Sequence, residues 1–262
     1  MPSPKKHDLV LLHGFTNRHK WSDQFLNVCL KHWGSGHVFV LYLNKHNDMY
    51  FKDPGEGMVT FIGKNDLSAG CDYISEQAGY MDEKINILQR DYGMSRQFYI
   101  IGHSMGGLIA RYYIYHHPDT VAGLVTLGTP HHGSPMARDF NWFGWVIKAK
   151  KGMDNLVPKW VDSEFNPRYP VTGLRLYEGG KVYTVRGSSR GRPWDWGWGG
   201  ELLLGYYCMR LLYGGENDGL VTNDSSLIDG AEHIADLPGY SHIDLVRKPE
   251  VAEICCRAFA NA

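Results

Sequence analysis

Three features predict an α/β domain built on a mostly parallel sheet with helices on both faces. Asp8 to Leu12 and Val121 to Leu127 are continuous apolar runs, the pattern of strands buried on both sides. Trp21 to Trp33 and Cys71 to Tyr92 instead carry apolar residues at three-to-four spacing, the pattern of helices lying on a sheet. At Gly102, Ser104, Gly106 and Gly107 a strand-like run stops and a helical one begins. Strands alternating with helices imply right-handed crossovers and loops gathered at the C-terminal strand ends, where a site is expected.

In chain order, Asp8 to Leu12 enters directly as a central strand and ends in His13-Gly14-Phe15. The helix over Trp21 to Trp33 and the strand over His37 to Leu43 complete a first β-α-β unit. Asn44 to Gly70 is polar and Gly-rich and reads as a long loop. Gly57 to Lys64 lacks the glycine spacing of a phosphate loop, and Asn65 stands where its hydroxyl residue belongs. Cys71 to Tyr92 is a surface helix leading into the strand Phe98 to Ile101, and Pro118 closes the helix that follows. Gly128 to Gly180 breaks the rhythm. Phe140, Trp142, Phe143, Trp145, Val146 and Ile147 crowd one segment that ends in lysines, which predicts a helical cap inserted at about residues 135–180 of a single domain, 1–262. Lys181 to Arg186 resumes the sheet, Ile234 to Leu237 is the last strand and Pro249 to Ala260 the closing helix.

Composition narrows the partners. The chain of 262 residues can bury a large core without disulfides, and a net charge of −1 with no basic stripe argues against nucleic acid. A small, mostly neutral molecule fits better. Five cysteines, two of them adjacent, read as reduced thiols in apolar faces, and thirteen histidines lack the spacing of a metal cluster. His116 and His117 end a helix, where positive charge suits the dipole. No run approaches a membrane span and Met1 to Asp8 lacks the apolar segment of a signal peptide, so the chain as written is expected to be cytoplasmic; a mature secreted form would look the same.

The reactive centre is expected at Ser104. Glycines two residues before and two after it remove Cβ atoms that would collide where a strand reverses into a helix, leaving the hydroxyl exposed at the strand tip. A second Gly-x-Ser-x-Gly at Gly187 to Gly191 follows a strand-like run, but Pro193 and the Trp-Gly stretch after it cannot start a helix, so it reads as a loop. A serine hydroxyl needs an imidazole to take its proton and a carboxylate to orient that imidazole, in the chain order serine, acid, histidine. Acid candidates are Asp154, Asp162, Asp195, Asp218, Asp224, Asp229 and Asp236; Asp218 is preferred because it follows a Gly-Gly turn ending an apolar run, with Asp224 in reserve. Of the late histidines, His242 lies after the last strand whereas His233 precedes it at the wrong edge of the sheet. Two N–H donors must face the oxyanion, and Met105 at the helix start and Phe15 after the first strand are placed to supply them.

The combination His13-Gly14-Phe15, Gly102 to Gly107, Leu127 to Ser134 (Leu-Gly-Thr-Pro-His-His-Gly-Ser) and Asn217 to Val221 resembles the bacterial triacylglycerol lipases and carboxylesterases of the α/β-hydrolase superfamily over a little under half the chain. The resemblance implies the α/β-hydrolase fold and cleavage of carboxylic esters through an acyl-enzyme. It implies Ser104, Asp218 and His242 as triad, Phe15 and Met105 as oxyanion donors, and an ester or lipid substrate, with a lipid interface in reach of the cap. Trp142, Phe143 and Trp145 are expected to line the acyl pocket. No cofactor is needed for that chemistry; the resemblance raises a structural Ca2+ at Asp244, two residues after the histidine. The triad does not fix the leaving group, so thioesters, amides and polyesters stay open, as does a noncatalytic binding protein on the same fold.

Overall fold

The computed structural model describes residues 6–17, 20–139, 149–191, 206–211 and 214–260. Its eight described strands form one sheet, ordered β3-β4-β2-β1-β5-β6-β7-β8. They are β1 (Asp8–Leu12), β2 (Val38–Leu41), β3 (Met49–Lys52), β4 (Val59–Ile62), β5 (Phe98–His103), β6 (Val121–Leu127), β7 (Val182–Ser188) and β8 (Glu232–Pro238). Every described pairing is parallel except β3 with β4. The sheet is that of the α/β-hydrolase fold.

The two faces are read directly from period two. Val10, Leu12, Ile100 and Leu124 face one core, with α2 (Ile74–Asp91) and α3 (Met105–His116) on it; Leu9, Leu11, Ile101 and Val125 face the other, with α1 (Asp23–Trp33) and the closing helix Pro249–Ala258. Both faces being covered is why β1 and β6 are unbroken apolar runs. The α1 helix starts at Ser22, whose hydroxyl accepts from Phe25 N–H at 3.1 Å and donates to Arg247 C=O at 2.7 Å. That one cap ties the first helix to the loop after the last strand.

The polar stretch Asn44 to Gly70 differs from its sequence reading, because it contains the β3–β4 pair. Each strand is only four residues long: β3 is half exposed, and β4, though buried throughout, is too short a run to stand out among the polar and glycine residues around it. The apolar run upstream of the Gly214-Gly215 turn is helical over residues 206–211. His233 lies within β8, near its start. Between β6 and β7 the chain makes short helices at Pro135–Asp139, Lys150–Asp154 and Pro158–Trp160, then a π-turn at Val161–Phe165. Arg111 of α3, wholly buried, holds this insertion down: its guanidinium donates to Asn166 Oδ1 and Tyr169 C=O and stacks on Phe165. His131, buried in β6's following loop, accepts from Arg111 at 3.1 Å; burial and that cation keep its imidazole well below the usual histidine range.

Candidate active site

Ser104 sits between the last residue of β5 and the first of α3, with φ 55° and ψ −128°. A non-glycine residue in that region is strained by about 1–3 kcal/mol, so its surroundings must impose it. They do so from two sides. Ser104 N–H donates to Leu127 C=O of β6 at 2.8 Å, and its C=O accepts from Gly107 N–H at 3.1 Å. The side chain makes no cap bond to the helix it precedes, which leaves the hydroxyl for other use.

The glycines around it mark backbone contact. A Cβ on Gly106 would lie 2.6 Å from His13 C=O, and one on Gly14 would lie 2.6 Å from Ser104 Cβ. Real Cβ atoms do not approach so closely, so the loop after β1 and the turn after β5 touch only because these positions have no side chains. Phe15 follows in a short 3-10 turn at Phe15–Asn17. Met105 opens α3, so its N–H has no intrahelical acceptor. Both expected donors therefore flank Ser104 on adjoining strand ends.

His242 and Asp218 form a buried pair, each about 1 % exposed. His242 Nδ1 lies 2.6 Å from Asp218 Oδ2, and His242 N–H donates to Asp218 C=O at 2.8 Å. The other carboxylate oxygen, Oδ1, accepts from Leu220 N–H at 3.0 Å and Val221 N–H at 2.8 Å. Nδ1 must carry the proton to meet a carboxylate, so the ring presents Nε2 to whatever lies beyond. The pair is brought to Ser104 through β6: Leu127 anchors the serine, and a Cβ on the next residue, Gly128, would lie 2.9 Å from Asp218 Oδ2 and 3.2 Å from His242 Nδ1.

The remaining candidates separate clearly. His233 bonds Thr184 Oγ1 and Asp236 Oδ1 near the start of β8, at the opposite edge from the triad candidates. Asp224 opens a short 3-10 turn at Asp224–Ser226, while the carboxylate facing His242 is that of Asp218. In the second Gly-x-Ser-x-Gly, Ser188 ends β7 and Ser189 N–H donates to Asn217 C=O, so this stretch braces the Asp218 loop. Asp244, the expected calcium residue, spends its carboxylate on the histidine loop: Oδ2 accepts from Ser241 N–H at 2.9 Å and Ser241 Oγ at 2.8 Å. Among the described residues no three His, Cys, Asp or Glu side chains gather as a metal site. Trp142, Phe143 and Trp145 lie outside the described residues. Among the described residues no helix is long and apolar enough to cross a membrane, and all five cysteines are free thiols.

His13, the buried first residue of the His-Gly-Phe run after β1, adjoins the expected oxyanion donor Phe15. Its ring is wholly buried, with Nδ1 donating to Gly14 C=O at 2.6 Å and Nε2 accepting from Leu43 N–H at 2.9 Å. An N–H at each side of the ring could not be accommodated, and burial pushes the imidazole down to about 4. The His-Gly pair was the available signal; the partners, both backbone groups, leave no trace in side-chain types.

Residues 62–153, from the end of β4 through the Ser104 turn into the insertion, match the family model described as a PGAP1-like alpha/beta domain. A GPI inositol-deacylase of Debaryomyces hansenii is 28 % identical over 117 residues, 42 % of this chain but only 10 % of that protein. The mature form of the Bacillus licheniformis lipase BlEst2 superposes with a TM-score of 0.67 at 18 % identity, covering 99 % of this chain and 95 % of the other. A metagenomic carboxyl esterase superposes with a TM-score of 0.60 at 16 % identity, over 98 % and 76 % of the two chains. These likenesses and the sheet order agree: the chain has the α/β-hydrolase fold.

Proposed function

We propose that this chain hydrolyses carboxylic esters, acyl lipids among them, through an acyl-enzyme on Ser104. The observation that carries the reading is the buried His242–Asp218 pair packed against Gly128, one residue from the carbonyl that holds Ser104 in its strained turn. In this reading Ser104 Oγ attacks the ester carbonyl while His242 Nε2 takes its proton. Asp218 holds Nδ1 and offsets the charge the ring acquires. Phe15 and Met105 N–H groups receive the oxyanion. His242 then returns the proton to the leaving alcohol, and water, activated by the same ring, frees the acid. Asp244 supports the histidine loop, and acyl transfer by these groups calls for no metal or cofactor. Trp142, Phe143 and Trp145 are proposed to receive the acyl chain from the insertion. Support comes also from the relatives' own names, which describe a deacylase, a lipase and an esterase.

A panel of p-nitrophenyl esters from acetate to palmitate tests the reading. Hydrolysis is expected in the parent and not in Ser104→Ala. Equal rates in the two, or no turnover of any ester by the folded parent, would overturn it. The slope of rate against chain length tests the acyl pocket, since each buried methylene is worth about 0.8 kcal/mol and Trp145→Ala should flatten the profile.

A further inference from the structure

Lys84 is wholly buried on α2, beside Met81, Ile85 and Leu88 in the apolar core. Among the described residues it has no carboxylate within ion-pair distance. Its Nζ donates instead to two neutral acceptors, Asn44 C=O at 2.6 Å and Asn47 Oδ1 at 2.9 Å. A buried ammonium without a counter-charge costs several kcal/mol, whereas a methionine of similar length would fill the space at none of that cost. Core packing therefore does not explain this residue.

Its acceptors do. Asn44 lies in the loop after β2, and the residue before it, Leu43, gives its N–H to His13 Nε2. His13 Nδ1–H in turn binds Gly14 C=O. In a planar trans peptide the C=O and the following N–H point to opposite sides, so holding Gly14 C=O fixes the direction of Phe15 N–H. We infer that Lys84 is a positioning residue for the oxyanion donor: it anchors the 43–47 loop so that Leu43 and His13 hold the Gly14–Phe15 peptide in its working orientation. The inference rests on the ester-hydrolase reading for its catalytic consequence, while the hydrogen-bonded relay stands by itself.

The charge acts in the same direction. Lys84 disfavours a proton on His13, keeping Nε2 bare to accept from Leu43. Burial lowers the ammonium itself to about 8, against the opposing pull of Glu83 on its own helix and Asp48 on the loop; the Tyr80 ring also faces it at 5.9 Å, and His13 beyond the loop is neutral. Above that pH the amine keeps two N–H groups but loses the charge that strengthens both bonds, so the anchor weakens as pH rises.

The test is Lys84→Met, read by kcat and KM separately and by the 15N spectrum of His13. The parent should show His13 with its proton on Nδ1, and a kcat that declines through about pH 8 at constant KM. Lys84→Met should lose about tenfold in kcat, less than the 10²–10³ cost of deleting an oxyanion donor, with KM unchanged, the alkaline decline gone and a mixed His13 tautomer. A folded Lys84→Met with the parent's kcat, or with a lower kcat and an unaltered His13 spectrum, would overturn the inference. If that variant does not fold, the parent decides: a flat kcat from about pH 7 to about pH 9.5 overturns it. Phosphonate titration of the parent separates the two levels, since a parent left unlabelled removes the ester-hydrolase reading and leaves the His13 spectrum to judge the relay.

Discussion

His13 and His242 are both wholly buried at the C-terminal edge of the sheet, and each has an Nδ1 partner at 2.6 Å. There the likeness ends. His13 meets a carbonyl on Nδ1 and a backbone N–H on Nε2, so the neutral ring is locked and a second proton has nowhere to go. His242 meets a carboxylate on Nδ1, and that carboxylate is itself held by two backbone N–H groups. One ring is built into the scaffold; the other is held by the kind of partner that a proton-transferring imidazole needs. The lesson is that burial and residue type do not set a histidine's role, whereas the partner on Nδ1 does.

The difference between the two rings depends most on the Asp218 carboxylate. Asp218→Asn should lower kcat by about 10⁴-fold while leaving the fold intact, because an amide would favour the wrong tautomer of His242. Asp224→Asn is the control and should match the parent; the reverse ranking would move the acid to the reserve position. Steady-state kinetics of both variants settle it. Next in size, Gly14→Ala should cost about 10²-fold or more in kcat, since its Cβ would meet Ser104 Cβ at 2.6 Å and displace Phe15 with it. A variant with parental kcat would show that the two loops need not touch.

The third test sharpens the His13 side. Its folded pKa of about 4 lies below the ordinary 6.5, so stability is fully present above about pH 6.5 and is lost as pH falls towards 4. The loss attributable to this ring is about 3 kcal/mol by pH 4. Urea midpoints of the parent and His13→Gln at pH 7 and at about pH 4.5 should therefore converge on acidification. Parallel midpoints would contradict the locked neutral ring. The smallest effect concerns Asp244. Chelation should leave activity unchanged, and Asp244→Ala, which loses two bonds to Ser241 worth about 1 kcal/mol each, should lower kcat only several-fold. Inactivation by a chelator, reversed by calcium, would restore the metal reading.

Legibility in the sequence followed burial. Strands β1, β5 and β6, covered on both faces, announce themselves as apolar runs, and the Ser104 turn is written in its glycines. The β3–β4 pair was hidden because β3 is a half-exposed edge and β4, though buried, is only four residues long. The carboxylate facing His242 is that of Asp218, yet the apolar run upstream of its Gly-Gly turn is helical over residues 206–211, and the loop is shaped by the Asn217–Thr222 bridge and by bonds from Leu220 and Val221. Lys84 could not be read at all, since the acceptors that give it meaning are a backbone carbonyl and one amide brought together by tertiary structure.

Ser104 is proposed as the nucleophile, served by the His242–Asp218 pair. The most direct test is peptide mapping after inactivation with a p-nitrophenyl phosphonate. The expected result is one adduct per chain, on Ser104, appearing in step with loss of esterase activity and absent in Asp218→Asn on the same timescale. An adduct on Ser189, or full inactivation with Ser104 unmodified, would remove Ser104 as the nucleophile.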